Sequence, residues 1–351
     1  MLLENRINAF VELGNFLRQF SREKMERNTN VLFNELFFDA LSSQIKRAQE
    51  TNGWFTNDNV LFAFEGLSKL LNTSNLNDWT SSYTLSQSNS KIVAIIMAGN
   101  IPLVGFHDFL SVLLSGHKVV IKQSSNDKQF LPLIAAYLEH VEPQFKGLIQ
   151  FTEEKLTGFD ATIATGSNNT ARYFEAYFGK YPNIIRKNRN TVAVLTGNET
   201  SEDLHNLGED IFRYFGLGCR SVSKLFVPKN YDFDPLFNAL YPYNEMIHYT
   251  KYQNNYDYNK TVYLMSEFKL LENGFLMLKE DSSYSSPIAT LFYEYYTDLA
   301  SLQEKLNNDK EHIQCIVSNV LEDTIPFGKT QEPALTDYAD GVDTLAFLSA
   351  L

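Results

Sequence analysis

The stretch Ile92-Val93-Ala94-Ile95-Ile96-Met97-Ala98-Gly99-Asn100-Ile101-Pro102 decides the fold of this 351-residue chain. Its first six residues are all apolar, which is typical of a parallel strand buried on both faces. The glycine and asparagine that follow predict a turn, and the proline suits the first turn of a helix. We expect that helix from Leu103 to Leu114, closed by Gly116. The stretch therefore predicts the first strand and helix of an open α/β sheet.

The alternation of strand and helix continues along the chain. Residues 1 to about 75 are predicted to be helical, because apolar residues recur at helical spacing, and the polar stretch Asn72–Ser90 is predicted to be a loop or hairpin. Predicted strands lie at 118–121, 148–151, 162–165, 191–195, 223–227, 288–293 and 313–317. Predicted helices run from a cap at Asp127 to about 141, from 167 to 177, from 201 to 215 and from 298 to 306, and residues 230–280 receive no assignment. This order favours doubly wound α/β domains with right-handed crossovers.

Composition narrows the class of protein. The hydrophobic fraction is 44% and the aromatic fraction 14%, which suits a folded core. The formal net charge of −12 argues against nucleic acid and against an anionic membrane surface as partners. No targeting segment or membrane span is recognisable, and the six histidines are too scattered to predict a metal site. Two cysteines far apart in sequence predict no disulfide framework, so we expect a reducing, cytoplasmic setting.

The first motif with chemical potential is Gly216-Leu217-Gly218-Cys219-Arg220-Ser221. Two glycines leave the backbone beside the sulfur unobstructed, so a planar acyl group can approach it. Arg220 would favour the thiolate, which is the nucleophilic form of cysteine. The alternative is that Cys219 is a small buried hydrophobe. Cys315 lies in the mostly apolar run 313–317, and we expect it to be buried and inert.

Three further motifs follow predicted strands, where open α/β sheets bind their ligands. After the first strand, the amide of Asn100 would stabilise an oxyanion, or the residue only forms a turn. Lys122 and Ser124 follow the second strand, and this lysine would reach a ribose hydroxyl or a phosphate unless it is an ordinary surface residue. Gly166 and Ser167 lead from a strand into a helix N-terminus, which suits an anion, although they form no G-x-G-x-x-G fingerprint.

Taken in order, these motifs resemble those of the aldehyde dehydrogenase superfamily. Its Pro-Trp-Asn-Phe-Pro, Lys-Pro-Ser, Phe-Thr-Gly-Ser and Gly-Gln-x-Cys motifs are similar here to residues 98–102, 122–124, 164–167 and 216–219. More closely, the chain resembles the acyl-CoA reductases related to the fatty-acid reductase of bacterial luminescence operons. That likeness lies in residues 188–195 and in the tail segments 327–329 and 337–343. The resemblance covers roughly residues 91–351.

The resemblance implies an aldehyde dehydrogenase-like fold of two Rossmann-like doubly wound α/β domains with a helical N-terminal segment. Residues 1–188 would form the helices and the dinucleotide-binding domain, and residues 189–351 the catalytic domain. It implies Cys219 as nucleophile and Asn100 as oxyanion donor. It also implies that Lys122, Ser124, Gly166 and Ser167 hold the dinucleotide.

Departures from the superfamily's pattern refine the expected reaction. Hydrolytic members carry a glutamate that activates water, but residues 185–189 read Ile-Arg-Lys-Asn-Arg. Residues 283–287 likewise lack the carboxylate that usually holds the nicotinamide ribose. NAD-preferring members often carry a glutamate three residues after the lysine, and Ser125 here would tolerate the 2′-phosphate of NADPH.

We therefore expect reduction of an acyl thioester, from acyl-CoA or an acyl-protein, to the aldehyde with NADPH, or with NADH. An acyl-protein synthetase partner and a homo-oligomeric state also fit this family. Two alternatives stay open. One is an NAD(P)-dependent aldehyde dehydrogenase working in the oxidative direction, and the other is a catalytically silent subunit that keeps the fold.

Overall fold

A computed structural model describes residues 1–85 and 90–351. The chain divides into two compact units, one formed by Met1–Lys187 with Ala334–Leu351 and the other by Asn188–Pro333. This division falls next to the predicted boundary after residue 188. The last stretch of chain, however, was expected in the catalytic domain and packs within the first unit. Three of its leucines are buried in that core, and the ring of His117 lies 2.9 Å from the carbonyl of Leu348.

The N-terminal part of the first unit is helical, as predicted. Its helices are α1 (Leu3–Leu17), α2 (Asn34–Thr51), α3 (Asn57–Leu70) and α4 (Thr73–Ser81). Helix α4 corrects the prediction of a loop or hairpin over Asn72–Ser90, of which residues 86–89 lie outside the described residues. The side chain of Asn72 caps this helix by accepting from Asn75 N at 2.9 Å, and Leu76 and Trp79 pack into the core.

The first unit also contains a parallel sheet. Its strands are β1 (Ile92–Ile96), β2 (Lys118–Lys122), β3 (Ile149–Phe151), β4 (Ala161–Thr165) and β5 (Asn183–Arg186), and its helices are α5 (Phe106–Leu114), α6 (Phe130–Val141) and α7 (Asn168–Phe178). The strand order is β3-β2-β1-β4-β5. Residues 93–95 at the centre of β1 are buried, which confirms the double-sided burial that their apolar run predicts. The order reverses between β1 and β4, so this fold has a topological switch point there.

Two predictions about the loops of this sheet were wrong. The helix after β1 begins at Phe106 rather than at Leu103, and Asp127 does not cap α6. One interaction explains both differences, because the carboxylate of Asp127 accepts from the backbone N–H of Leu103 at 2.8 Å. Leu103 takes a left-handed φ of 56° in this arrangement, which a helix start could not contain.

The second unit is built on a mixed sheet. Its elements are β6 (Asn190–Val194), α8 (Ser201–Phe212), β7 (Val222–Pro228), α9 (Asp234–Leu240), α10 (Thr250–Met265), β8 (Leu270–Glu272), β9 (Met277–Glu280), β10 (Thr290–Tyr296), α11 (Leu299–Asn308) and β11 (Ile313–Val317), and the closing helix α12 (Thr344–Ser349) belongs to the first unit. The strand order is β11-β6-β7-β10-β9-β8. The pairing of β8 with β9 is antiparallel and the other pairings are parallel within the described residues. Four of these elements fill residues 230–280, which the sequence left unassigned.

Candidate active site

One candidate site is the carboxyl edge of the sheet in the first unit. Strand β1 lies between β2 and β4, and Ile96 at its end pairs with Lys122 on one side and Ala164 on the other. The loops that follow these three strands carry the predicted residues Asn100, Ser124, Gly166 and Ser167. The structure thus brings the five predicted residues of this unit to one edge, at the switch point where doubly wound sheets bind ligands.

Two of these loops touch each other through a glycine. A Cβ atom added to Gly99 would lie 2.6 Å from the hydroxyl oxygen of Ser124, so only glycine fits there. The Ser124 hydroxyl also accepts from the backbone N–H of Asn126 at 3.3 Å. Asn100, the next residue of the first loop, is half-buried. The contact fixes the loop of Asn100 against the loop of Ser124.

Lys122 and Ser167, both at this edge, form hydrogen bonds with nearby residues. The ammonium of Lys122 donates to the carbonyl of Glu154 at 3.1 Å and remains half-buried. Ser167 is the N-cap of α7, and its hydroxyl accepts from Thr170 N at 3.3 Å while the residue stays exposed. A capped helix N-terminus still presents its positive end to an anion.

These features fit a dinucleotide. The crowded backbone at Gly99, the exposed start of α7 and the lysine at the end of β2 line the sheet edge where the fold accepts such a ligand. Ser125 is exposed beside them and carries no charge that would repel a 2′-phosphate. Among the described residues, no group of three or more His, Cys, Asp or Glu side chains is arranged to hold a metal ion.

A separate candidate site is the turn that carries Cys219 in the second unit. Cys219 is exposed, between α8 and the start of β7. Its backbone carbonyl accepts from the hydroxyl of Thr191 at 2.9 Å, and that hydroxyl lies 3.0 Å from the sulfur of Cys315. Cys315 is half-buried, so the prediction of a buried thiol was wrong. The sequence did not indicate Thr191, whose place follows from the pairing of β6 with β7.

The chain reaches this turn through a strained backbone. Tyr214, Phe215 and Gly216 have φ values of 55°, 59° and 73°, a region that favours glycine. The ring of Phe215 is buried and lies 5.0 Å from that of Tyr249 and 6.2 Å from that of Tyr252, measured between centroids. Aromatic packing therefore holds a left-handed reversal between α8 and the cysteine turn.

Arg220, the residue after Cys219, is engaged elsewhere in the same unit. The Arg220 side chain, expected to favour the thiolate, donates through Nε to the carbonyl of Thr330. Thr330 is in turn bonded to the buried carboxylate of Asp210. The sequence indicated neither Asp210 nor Thr330, since the two bonded residues lie 120 residues apart along the chain.

Arg186 and Tyr284 lie in the two segments that depart from the superfamily's pattern, and both bond to other residues of the chain. Arg186 is buried at the end of β5 and pairs with the carboxylate of Asp108 and the hydroxyl of Thr344. In the loop after β9, the hydroxyl of Tyr284 donates to Asp309 at 2.6 Å. Arg186 thus serves the interior of its unit through contacts that need no ligand.

Comparison with solved structures defines the class of fold. The chain is similar to aldehyde dehydrogenase 21 from Physcomitrella patens, solved with the reaction product succinate, with a TM-score of 0.64, 13% identity and coverage of 92% of this chain and 74% of that one. It is also similar to the NAD+ complex of an aldehyde dehydrogenase from Bacillus cereus, with a TM-score of 0.58, 13% identity and coverage of 88% and 70%. A mutant of aldehyde dehydrogenase C from Pseudomonas syringae, complexed with NAD+ and octanal, matches with a TM-score of 0.58, 12% identity and coverage of 86% and 69%. The fold is that of the aldehyde dehydrogenases.

A family model matches just under half of the chain. Residues 66–236 match the model of the acyl-CoA reductases (LuxC). The matched range contains all six predicted site residues, from Asn100 to Cys219. The chain is thus an oxidoreductase of the class that acts on aldehyde or acyl groups. A search of curated proteins found no match. Across residues 1–85 and 90–351, no helix has the length and apolar character needed to cross a membrane.

Proposed function

We propose that this protein reduces an acyl thioester to an aldehyde through a covalent intermediate on Cys219, with NADPH as reductant. One observation carries the proposal: the exposed Cys219 lies on a turn held at its own carbonyl by Thr191, within the matched acyl-CoA reductase range. An exposed cysteine whose backbone is fixed can meet a substrate carbonyl in a constant geometry.

In the proposed reaction, the Cys219 thiolate adds to the thioester carbonyl and expels the donor thiolate. The Asn100 amide and the backbone N–H of Cys219 are assigned to the oxyanion of that addition. Lys122, Ser124, Gly166 and Ser167 would hold the dinucleotide, which when bound supplies the hydride that reduces the acyl-cysteine. Collapse of the resulting thiohemiacetal frees the aldehyde and returns the Cys219 thiol.

NADPH is the proposed cofactor because Ser125 stands where a carboxylate would repel its 2′-phosphate. NADH lacks that phosphate and remains a possible reductant. The acyl donor would be acyl-CoA or an acylated protein delivered by an acyl-protein synthetase, and we expect a cytoplasmic homo-oligomer. Turnover with a series of acyl chain lengths, each offered with NADPH and NADH, tests the donor and the cofactor together.

The fate of the acyl-enzyme tests the direction of the reaction. Residues 185–189 contain no glutamate to activate water, so an acyl group on Cys219 should persist without reduced cofactor. Intact-protein mass spectrometry after mixing with acyl-CoA should detect the adduct, and added CoA should remove it. Rapid release of free fatty acid without an adduct would favour the oxidative aldehyde dehydrogenase instead. No acylation and no turnover would favour the silent subunit.

A further inference from the structure

We infer that Asp210 is a positioning residue for Cys219 and acts on it through Thr330 and Arg220. This inference rests on the proposed function, because it takes Cys219 as the nucleophile. The network lies within the second unit, and neither Asp210 nor Thr330 belongs to a motif that the sequence indicated.

Asp210 is a buried anchor near the end of α8. Its side chain is fully inaccessible, and it accepts hydrogen bonds from Gly328 N at 2.7 Å, Thr330 N at 3.0 Å and the Thr330 hydroxyl at 2.8 Å. Burial raises the pKa of this carboxyl, and the three donors offset part of that rise. A carboxylate that binds one loop through three donors fixes that loop to α8.

The same loop also packs closely against α8 through a glycine. Gly328 has a φ of 80°, and a Cβ atom added to it would lie 3.0 Å from the Cβ of Asn206. A side chain at position 328 would therefore strain the backbone and push the loop off the helix. The carboxylate of Asp210 and this close approach together define one position for residues 328–331.

From this loop, two hydrogen bonds reach the residues that follow Cys219. The carbonyl of Thr330 accepts from Arg220 Nε, and the amide of Gln331 donates to the hydroxyl of Ser221 at 3.4 Å. On the other side, Thr191 holds the carbonyl of Cys219 itself at 2.9 Å. The turn is thus held at Cys219, Arg220 and Ser221, while Cys219 remains exposed.

The turn needs such support because the backbone before it is strained. Tyr214 and Phe215 adopt left-handed φ values, a region that L side chains rarely occupy because the Cβ atom crowds the backbone. Such conformations persist only where the surroundings impose them. If the connection to Asp210 is broken, the segment from Tyr214 to Ser221 can relax and move the sulfur. A misplacement of about 1 Å can lower a reaction rate about 10²-fold.

Three variants test the inference. Asp210→Asn replaces one acceptor oxygen by an N–H₂ that cannot accept from the loop. Thr330→Val removes the hydroxyl bonded to Asp210, and Thr330→Ser is the matched control that keeps it. For each variant we would measure kcat with acyl-CoA, KM for NADPH, thermal unfolding, and the pH dependence of iodoacetamide labelling at Cys219 with Cys315 as internal reference.

We expect kcat to fall about 10²-fold in Asp210→Asn and about tenfold in Thr330→Val, with KM for NADPH unchanged. Thr330→Ser should stay within about twofold of the wild type. The labelling profile of Cys219 should change in the first two variants and that of Cys315 should not. If Asp210→Asn does not fold, the comparison of Thr330→Val with Thr330→Ser tests the inference by itself.

Folded Asp210→Asn or Thr330→Val protein with wild-type kcat and an unchanged Cys219 labelling profile would overturn the inference. Equal losses in Thr330→Val and Thr330→Ser would also overturn it. Failure of the proposed function would look different, because the wild type would then lack thioester reduction while the labelling differences persisted.

Discussion

The two candidate sites, one in each unit, differ in what holds them. At the carboxyl edge of the first sheet, the predicted residues follow neighbouring strands, and strand pairing brings the loops of Asn100, Ser124 and Ser167 to one edge. The turn of Cys219 is held by residues distant in sequence, with Thr191 at a separation of 28 residues from Cys219 and Thr330 at 110 residues from Arg220. The sheet topology thus already collects the residues of the edge, whereas the turn of Cys219 depends on specific long-range partners.

The largest effect on activity should come from a substitution at Cys219, on the turn that long-range partners hold. Cys219→Ala removes the nucleophile and should abolish thioester reduction, while NADPH binding stays largely intact because the assigned dinucleotide residues belong to the other unit. Turnover with acyl-CoA and fluorescence titration of NADPH measure the two properties separately. The matched control is Cys315→Ala, which we expect to retain activity. Reduction by the Cys219→Ala protein would remove the central proposal.

Asn100→Ala should have the next largest effect, because it removes one assigned oxyanion donor from the sheet edge. Turnover at saturation should fall about 10²- to 10³-fold, the usual loss for one such donor, with little change in cofactor affinity. Steady-state kinetics over a range of NADPH concentrations separate the change in turnover at saturation from the change in NADPH affinity. Normal turnover with weakened NADPH binding would instead make Asn100 a structural turn residue.

Some of the elements that carry these residues leave a local signal in the sequence, and others do not. The apolar run of β1 and the turn residues after it predicted the first sheet, since a strand buried on both faces leaves a local signal. The start of α5 was misplaced because Asp127 binds Leu103, and no local pattern records that contact. Helix α10 was missed because its sequence has no continuous apolar face, and the residues it buries include Tyr252, Tyr256 and Asn259. Asp210 and Thr330 escaped prediction for the same reason as Asp127, because their partners are brought near only by the fold.

Lys122→Met should produce a smaller change, confined to cofactor binding. The lysine is half-buried and already donates to Glu154. We expect its loss to raise KM for NADPH about tenfold, because one hydrogen bond from a charged group contributes about that much to binding. Initial rates at varied NADPH test this expectation. Lys128→Met is the matched control, because Lys128 pairs with Glu153 on the surface of the same loop region. An equal rise in KM for both variants would show only a general effect of positive charge.

The last prediction concerns stability rather than turnover at the sheet edge, where Asp127 joins the loop after β2 to Leu103 in the loop after β1. Burial raises the pKa of Asp127 from 3.8 to about 6, although the Leu103 N–H partly opposes the shift. A carboxyl whose folded pKa is raised contributes stability that is fully present below its unfolded pKa and lost as pH rises through the folded value. The first unit should therefore lose stability between about pH 4 and pH 6 through this group.

Asp127→Asn keeps an acceptor for Leu103 and removes the ionisation. At pH 7.5 it should raise the free energy of unfolding by about 1–3 kcal/mol, and at pH 4 it should match the wild type, because both side chains are then neutral. Urea unfolding followed by tryptophan fluorescence reports this unit alone, since the two tryptophans, Trp54 and Trp79, both belong to it. Asp127→Ala is the contrasting variant, because it leaves the Leu103 N–H without its acceptor and should destabilise the unit at both pH values. An Asp127→Asn protein less stable than the wild type at pH 7.5 would mean that the charged carboxylate stabilises this edge, and the carboxyl edge would then depend on a specific partner as much as the Cys219 turn does.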